Sequence, residues 1–233
     1  MNNSAITLSR LRFAWPGSPP LLQIDRFELA AGERLFLAGA SGSGKSTLLG
    51  LIAGITPCQD GDITVLGERM DPARPARRDA IRASQLGVIF QLFNLVPYLS
   101  PLENVLLPLQ FSAERAARLK AFADSPEDEA RRLLAVLGLE GDLLHRASTA
   151  LSVGQQQRVA AARALIGRPG LVIADEPTSA LDHDARDAFL SLLTRECEAA
   201  GTALLFVSHD RSLAGRFDRM VELDTLNRAA VTA

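Results

Sequence analysis

Leu35-Phe36-Leu37-Ala38-Gly39-Ala40-Ser41-Gly42-Ser43-Gly44-Lys45-Ser46-Thr47-Leu48-Leu49-Gly50-Leu51-Ile52 decides how this chain is read. Four apolar residues run into a turn of glycine and serine, and a second apolar run follows. The order reads strand, turn, helix. Residues 39–46 match G-x-x-x-x-G-K-[ST], a pattern whose chemistry is phosphate binding. Glycines let successive backbone N–H groups curl inward as an anion nest. A helix starting at the turn aims the positive end of its dipole at the same point. In that arrangement Gly39, Ala40, Ser41, Gly42, Ser43, Gly44 and Thr47 surround a nucleotide's phosphates. Lys45 reaches the β- and γ-phosphates, and the Ser46 hydroxyl ligates Mg²⁺. The plainer alternative is an ordinary Gly/Ser turn between a strand and a helix.

The use of lysine favours the phosphate reading. The chain holds 25 Lys plus Arg, and its only lysines are Lys45 and Lys120. A compact ammonium on a slender stem fits a tight phosphate cradle, whereas a guanidinium fork is too wide.

At 233 residues, 47% of them hydrophobic, the chain has enough apolar surface for a real core. The formal net charge of −2 gives no global basic field, so nucleic acid is not an expected partner. The short basic clusters at 74–78 and 115–118 are expected to be solvated faces. Cys58 and Cys197 form neither a CxxC nor a metal-ligand spacing, which predicts two reduced thiols. Residues 1–5 show no basic stretch leading into an apolar one, so no signal peptide is expected. No apolar run approaches the length of a membrane span, so a soluble chain that meets a membrane only through a partner is expected.

Along the chain, residues 5–13 alternate apolar and polar and predict a half-buried strand. Residues 15–20 are a turn, and residues 21–29 a second strand. The helix after the phosphate turn is expected over 44–55, with a short strand at 62–66 and a surface helix at 71–85. The continuous apolar run at 86–90 predicts a strand buried on both faces. Residues 95–151 read as a helical insertion. Ser100-Pro101 marks one helix start. Residues 126–138 run acid first, base later and glycine last, as a helix does. Strand and helix then alternate again: helix 155–166, strand 171–174, helix 184–199, strand 203–207 and a final strand at 220–223. The tail from Thr225 is expected to be loosely ordered.

Three further elements carry chemistry. Leu171-Val172-Ile173-Ala174-Asp175-Glu176 is an apolar strand ending in two carboxylates. Asp175 is placed to help hold Mg²⁺, and Glu176 to polarise an attacking water. In Leu151-Ser152-Val153-Gly154-Gln155, Ser152 is a good helix N-cap and Gly154 leaves backbone N–H groups open, a second anion site on a helix start. The strand at 203–207 ends in Ser208-His209-Asp210.

Together these motifs, spread from Trp15 to His209, resemble the nucleotide-binding subunits of ATP-binding-cassette (ABC) transporters. The resemblance implies an α/β fold: a P-loop NTPase, RecA-like core with a parallel-rich sheet, an N-terminal antiparallel β subdomain and an inserted α-helical subdomain. It implies one ABC ATPase domain over 1–233, with 1–94 and 152–233 as core and β subdomain and 95–151 as helical subdomain. It assigns 39–47 to Walker A, 171–175 with the general base Glu176 to Walker B, and Gln91 to a loop touching Mg²⁺ and facing the membrane partner. Residues 151–155 resemble the family signature Leu-Ser-Gly-Gly-Gln, in which Val153 stands where glycine is usual. Residues 179–182, ending at Asp182, resemble the D-loop, and His209 the switch histidine at the γ-phosphate. Lys45, Glu176 and His209 are thus the catalytic expectations, and Ser46, Gln91 and Asp175 the metal ligands.

Trp15 lies where the family carries an adenine-stacking aromatic, with Phe13 competing for that role and a packing tryptophan as the alternative. Residues 90–97 and 102–109 are similar to the LolD/MacB/FtsE-type ATPases, of the lipoprotein-release and macrolide-export branch. The implied cofactors are ATP and Mg²⁺. The implied partners are a second copy and transmembrane permease subunits, the latter docking near Gln91 and the helical subdomain. Ser152, Val153, Gly154 and Gln155 then act on the partner copy's nucleotide. The implied location is the cytoplasmic face of the membrane. Two other readings remain: a non-transport ABC ATPase of cell division, repair or translation, and a P-loop kinase, which would have no use for 151–155.

Overall fold

The computed structural model of the chain describes residues 4–179 and 181–231; the sequence readings that touch Met1, Asn2, Asn3 and Ala180 lie outside them. In chain order the strands are β1 (Ser4–Ala14), β2 (Pro20–Ala30), β3 (Arg34–Ala38), β4 (Asp60–Val65), β5 (Glu68–Arg69), β6 (Leu86–Ile89), β7 (Leu171–Asp175), β8 (Ala203–Ser208) and β9 (Arg219–Glu222). The helices are α1 (Lys45–Ile52), α2 (Pro75–Gln85), α3 (Pro101–Phe111), α4 (Ala113–Lys120), α5 (Pro126–Val136), α6 (Val153–Leu165), α7 (His183–Ala200) and the short α8 (Leu223–Leu226).

Two sheets form. The first is antiparallel, in the order β2-β1-β4-β5. On β1 the side chains Ile6, Leu8, Leu11 and Phe13 are buried while Arg10 and Arg12 are exposed, as expected for a strand with one wet face. The second sheet is parallel, in the order β6-β7-β8-β3-β9. Its inner strands β7, β8 and β3 are largely apolar because both faces are covered, whereas the edge strand β9 keeps Arg219 and Glu222. Phe36, Val172, Ala174, Leu204 and Phe206 face the core shared with α3, α5, α6 and α7. Leu35, Leu37, Leu171, Ile173, Leu205 and Val207 face the core shared with α1 and the antiparallel sheet. Side chains alternate along a strand, so successive residues feed two different cores.

Caps set the helix starts. Ser100 and Glu103 form a capping box on α3, with Pro101 in the first turn. Ser125 caps α5 ahead of Glu127, Asp128 and Glu129. Several boundaries differ from the sequence expectation, α2 among them, which begins at Pro75 and not at 71; two of the differences have a local cause. Helix α1 stops at Ile52, and Gly54 takes a left-handed φ of 67° just beyond it. Helix α6 starts at Val153 because Ser152 is its N-cap.

Two expectations are corrected. The arginines at 74–78 and 115–118 are not uniformly solvated. Arg78 is buried and donates to the Pro72 carbonyl at 3.0 Å. Arg115 is 2% exposed. Its guanidinium donates to the carbonyls of Leu86 (2.9 Å), Ala164 (2.8 Å) and Ile166 (2.7 Å), at the ends of α2 and α6. Arg118 donates to Gly167 and Ser84 nearby. Helix C-termini present unpaired carbonyls and negative partial charge, so an arginine can be buried there without a carboxylate. The tail is also docked. Buried Asn227 accepts from the Gln23 N–H at 2.7 Å and donates to the Leu21 carbonyl at 2.8 Å, tying the chain after α8 to β2. No described helix is long and apolar enough to cross a membrane.

Candidate functional site

In a parallel sheet, loops at the carboxyl ends of the strands converge, and this chain places its chemistry there. Gly39 follows β3, Asp175 ends β7, Ser208 ends β8 with His209 next, and Gln91 follows β6 by two residues. These strands are neighbours in the sheet. A cavity of about 520 Å³ opens between their ends, lined by Leu21, Ser41, Gly42, Gly44, Lys45, Ser46, Thr47, Gln91, Glu176, Ser179 and His209.

The loop 39–47 is held from within. The buried Lys45 ammonium donates to the carbonyls of Gly39 at 2.8 Å and Ala40 at 2.7 Å. Gly44 sits at φ 97°, and a Cβ there would come 3.0 Å from a Leu22 methyl, so both backbone and space call for glycine. A Cβ at Gly42, at φ 79°, would meet nothing within 4 Å, so that residue is glycine for its backbone alone.

Asp175 and Ser46 face each other below the loop. Burial raises Asp175 above the usual carboxylate range and the neighbouring Glu176 adds to this, while a hydrogen bond from Ser46 and the charge of Lys45 act against it. Asp175 Oδ1 is buried with no hydrogen-bond partner, as is Ser43 Oγ. Orphaned oxygens beside a phosphate-type loop are what a hard divalent cation requires, so these residues fit Mg²⁺.

Glu176 is held in place by its backbone. Its φ is 46°, an uncommon conformation for a side chain of this kind, and its N–H donates to the Val207 carbonyl at 2.9 Å. The buried carboxylate lies 3.0 Å from His209 Nδ1 and accepts from Ser208 Oγ at 3.3 Å. The His209 turn is anchored in its own right. Arg186 on α7 pairs with Asp210 at 2.6 Å, and Asp210 accepts from the Ser212 N–H and hydroxyl. Those Ser212 bonds, ahead of the Arg186 and His209 charges, hold Asp210 below the usual carboxylate range.

The remaining expected residues lie apart from this cavity. Ser152, Val153, Gly154 and Gln155 do not line it. They form the start of α6, where Ser152 and Gln155 cap each other: the Gln155 N–H donates to Ser152 Oγ, and the Ser152 N–H to Gln155 Oε1. Val153 projects outward, 51% exposed. Asp182 caps α7 through the Ala185 N–H at 2.8 Å. A Cβ on Gly154 would lie 3.3 Å from a Leu181 methyl, so the segment after Glu176 touches the start of α6. Trp15 is 46% exposed, sets its ring edge to Phe13 at 5.0 Å, and is not a lining residue of the cavity.

Ser179, the first residue of the segment likened to the D-loop, lines the cavity. Sequence reasoning missed two residues. Leu21 lines the cavity without belonging to a chemical motif. Arg163 donates to the carbonyls of Phe93 and Asn94 beyond Gln91. Its position in the last turn of a predicted helix was the one available signal, since helix-end arginines seek carbonyls.

A second groove, of about 560 Å³, lies between α2, β6, α3 and α6, lined in part by Arg82, Phe90, Asn94, Pro108, Phe111 and Arg163. Phe111 there is 72% exposed, and Leu92 and Tyr98 in the segment after Gln91 are 84% and 79% exposed.

Comparison with known proteins matches residues 22–179 to the family described as ABC transporter. Curated relatives include the lipoprotein-releasing system ATP-binding protein LolD of Xanthomonas axonopodis pv. citri, 40% identical over 195 residues, covering 84% of this chain and 77% of that protein. LolD 2 of Rhodospirillum rubrum is 42% identical over 197 residues, covering 84% and 82%. Among solved structures, the dimeric structure of MJ0796, a bacterial ABC transporter cassette, superposes with a TM-score of 0.82 at 30% identity and covers 93% of each chain. A second MJ0796 dimer, in a post-hydrolysis state bound to ADP and Pi, gives 0.81 at 31% identity.

Proposed function

The chain belongs to the ABC transporter family, and from that premise we propose that it is the ATP-binding and ATP-hydrolysing subunit of a membrane transport complex of the lipoprotein-release type. The observation that carries this reading is the single cavity in which the loop with Lys45 and Ser46 meets Gln91, Glu176 and His209.

The residues act as follows. The N–H groups of 41–47 and the dipole of α1 receive the phosphates. Lys45 leaves the Gly39 and Ala40 carbonyls for the phosphate oxygens, which carry more charge. Mg²⁺, held by Ser46 and Asp175 with Gln91 nearby, would neutralise charge on the phosphates. Glu176 accepts a proton from a water whose oxygen bonds to the γ-phosphorus, and the bond from that phosphorus to the bridging oxygen breaks to leave ADP. His209, fixed beside Glu176, faces the γ-phosphate.

One chain supplies only part of a site, because the start of α6 lies outside its own cavity. A second copy, arranged head to tail, offers Ser152, Val153, Gly154 and Gln155 to the nucleotide. That requires the mutual cap of Ser152 and Gln155 to open, at roughly 1 kcal/mol. ATP binds the closed pair better than the open one and so shifts the population towards closure. A transmembrane permease docks on the groove beside Phe111 and on exposed Leu92 and Tyr98, which places the chain at the cytoplasmic face of the membrane. Trp15, exposed and outside the cavity lining of the nucleotide-free chain, stacks on adenine. Residues 95–151 form the helical subdomain that conveys the motion.

The test is phosphate release by the purified chain with Mg-ATP, and capture of its partner from membranes. ATP hydrolysis lost on Glu176→Gln, with co-purification of a permease, supports the reading. Phosphate passed to a small acceptor with no hydrolysis, or ribosomes or DNA captured in place of a permease, would overturn it.

A further inference from the structure

Helix α6 has two ends with different duties. Its N-terminus begins at Ser152, outside the chain's own cavity. Its last turn carries Arg163, whose two terminal nitrogens donate to the Asn94 carbonyl at 2.7 Å and the Phe93 carbonyl at 2.5 Å. Both acceptors are in the left-handed region, Phe93 at φ 59° and Asn94 at φ 49°. Asparagine adopts that conformation readily, but it disfavours the bulky Phe93, so a contact from outside the turn helps to hold it. The turn itself contributes the Phe93 N–H to the Phe90 carbonyl at 3.0 Å and the Asn94 N–H to the Leu92 carbonyl at 2.6 Å. Arg163 has no carboxylate partner among the described residues. Its guanidinium serves backbone carbonyls.

The same end of α6 is fixed from two other sides. Arg115 on α4 binds the carbonyls of Ala164 and Ile166. A Cβ on Gly87 of β6 would lie 2.2 Å from the Ala164 carbonyl oxygen, so helix and strand backbones are in direct contact. Strand β6 leads to Gln91 in the cavity. Thus the C-terminus of α6 is joined to the segment carrying Gln91 by a backbone contact and by the Arg163 fork. The 13 residues of α6 span about 20 Å to Ser152.

We propose that Arg163 is a positioning residue that locks the turn after Gln91 to the helix beginning at Ser152, so that a chain's own nucleotide site and the segment it offers to its partner's nucleotide move as one body. This rests on the dimeric reading above. With the fork in place, a nucleotide that shifts Gln91 also sets the angle of α6, and filling one half-site prepares the other. Without it, the two half-sites of a chain respond separately.

The test uses the full chain in a Glu176→Gln background, comparing R163M with the parent. ATP-driven dimerisation is followed by light scattering, ADP affinity is measured in the monomer, and hydrogen exchange is read at single amides. In R163M the ATP concentration for half-dimerisation should rise about tenfold, the loss of roughly 1.4 kcal/mol of coupling, and the transition should become less steep. ADP affinity should stay within about twofold, a fraction of a kcal/mol. Exchange should quicken at the Phe93 and Asn94 amides and not along α6. Should R163M fail to fold, R163K keeps stem and charge but not the fork, and should show the same pattern with a smaller shift. An unchanged dimerisation midpoint overturns the proposal. So does an equal loss of ADP affinity and dimerisation, or faster exchange through α6, because each marks a purely structural role. A parent that does not dimerise with ATP overturns the dimeric reading instead, so the two failures are distinct.

Discussion

His209 Nδ1 lies 3.0 Å from both carboxylate oxygens of Glu176. The histidine is largely exposed and the glutamate is buried, so the pair spans the cavity from rim to floor. Strand β8 supplies both constraints: Val207 accepts the Glu176 N–H, and His209 follows two residues later. A general base held by a neighbour on the adjacent strand does not wander, and its reach towards a γ-phosphate is set before nucleotide arrives.

Glu176→Gln therefore removes proton acceptance while keeping shape. ATP turnover should fall by about 10²–10⁴-fold, the usual worth of a positioned base, with nucleotide binding retained. His209→Ala should fall within the same range. Because the two residues act as a unit, the double variant should be little worse than the poorer single variant. Steady-state turnover with ATP-binding titrations checks this.

Asp175 is held for chemistry at the expense of stability. Its folded-state pKa is raised, chiefly by burial, so the folded state binds that proton more tightly than the unfolded state does. The charged form then costs stability at neutral pH, and the cost fades as pH falls through the folded value towards the unfolded one. Asp175→Asn should raise the melting temperature of the nucleotide-free chain by roughly 2–4 °C at neutral pH, with a smaller gain at mildly acid pH. It should abolish hydrolysis. Thermal melts at two pH values show the sign.

Gly87→Ala forces a methyl against the Ala164 carbonyl, 2.2 Å from the ideal Cβ. Neither backbone can retreat cheaply, since one is in the sheet and the other is bound by Arg115. A loss of about 3 kcal/mol is expected. Urea unfolding should show a lower midpoint with the slope unchanged.

Phe111 stands 72% exposed on the rim of the second groove. Phe111→Asp should reduce retention on the permease at least about tenfold, in line with losing a buried aromatic anchor, and lower basal ATP hydrolysis far less. Co-purification from membranes, beside turnover of the isolated chain, separates the two.

The parts of this molecule legible in the sequence are those where local pattern and global fold agree. The short continuous apolar runs of β3, β7 and β8 are strands buried on both sheet faces, and their length between turn residues shows that. The loop 39–47 is legible because its backbone demands glycine at fixed spacing. Arg115 was not legible. Its partners are carbonyls at Leu86, Ala164 and Ile166, distant in sequence and invisible to residue type, so a basic cluster reads as a wet surface. Asn227 was missed for the same reason: a polar residue near the end of a chain reads as loose until β2 is beside it. The separation of the start of α6 from the cavity is a matter of topology, which spacing along the chain does not encode.

The central claim is that this chain holds half of an ATP site and borrows the rest from a copy of itself. Light scattering of the Glu176→Gln chain, with and without Ser152→Arg, tests it most directly. With saturating Mg-ATP the Glu176→Gln chain should double its molar mass, ADP should leave it monomeric, and adding Ser152→Arg should keep it monomeric while it still binds ATP. A Glu176→Gln chain that stays monomeric with ATP, or a Ser152→Arg form that dimerises just as well, would contradict the account.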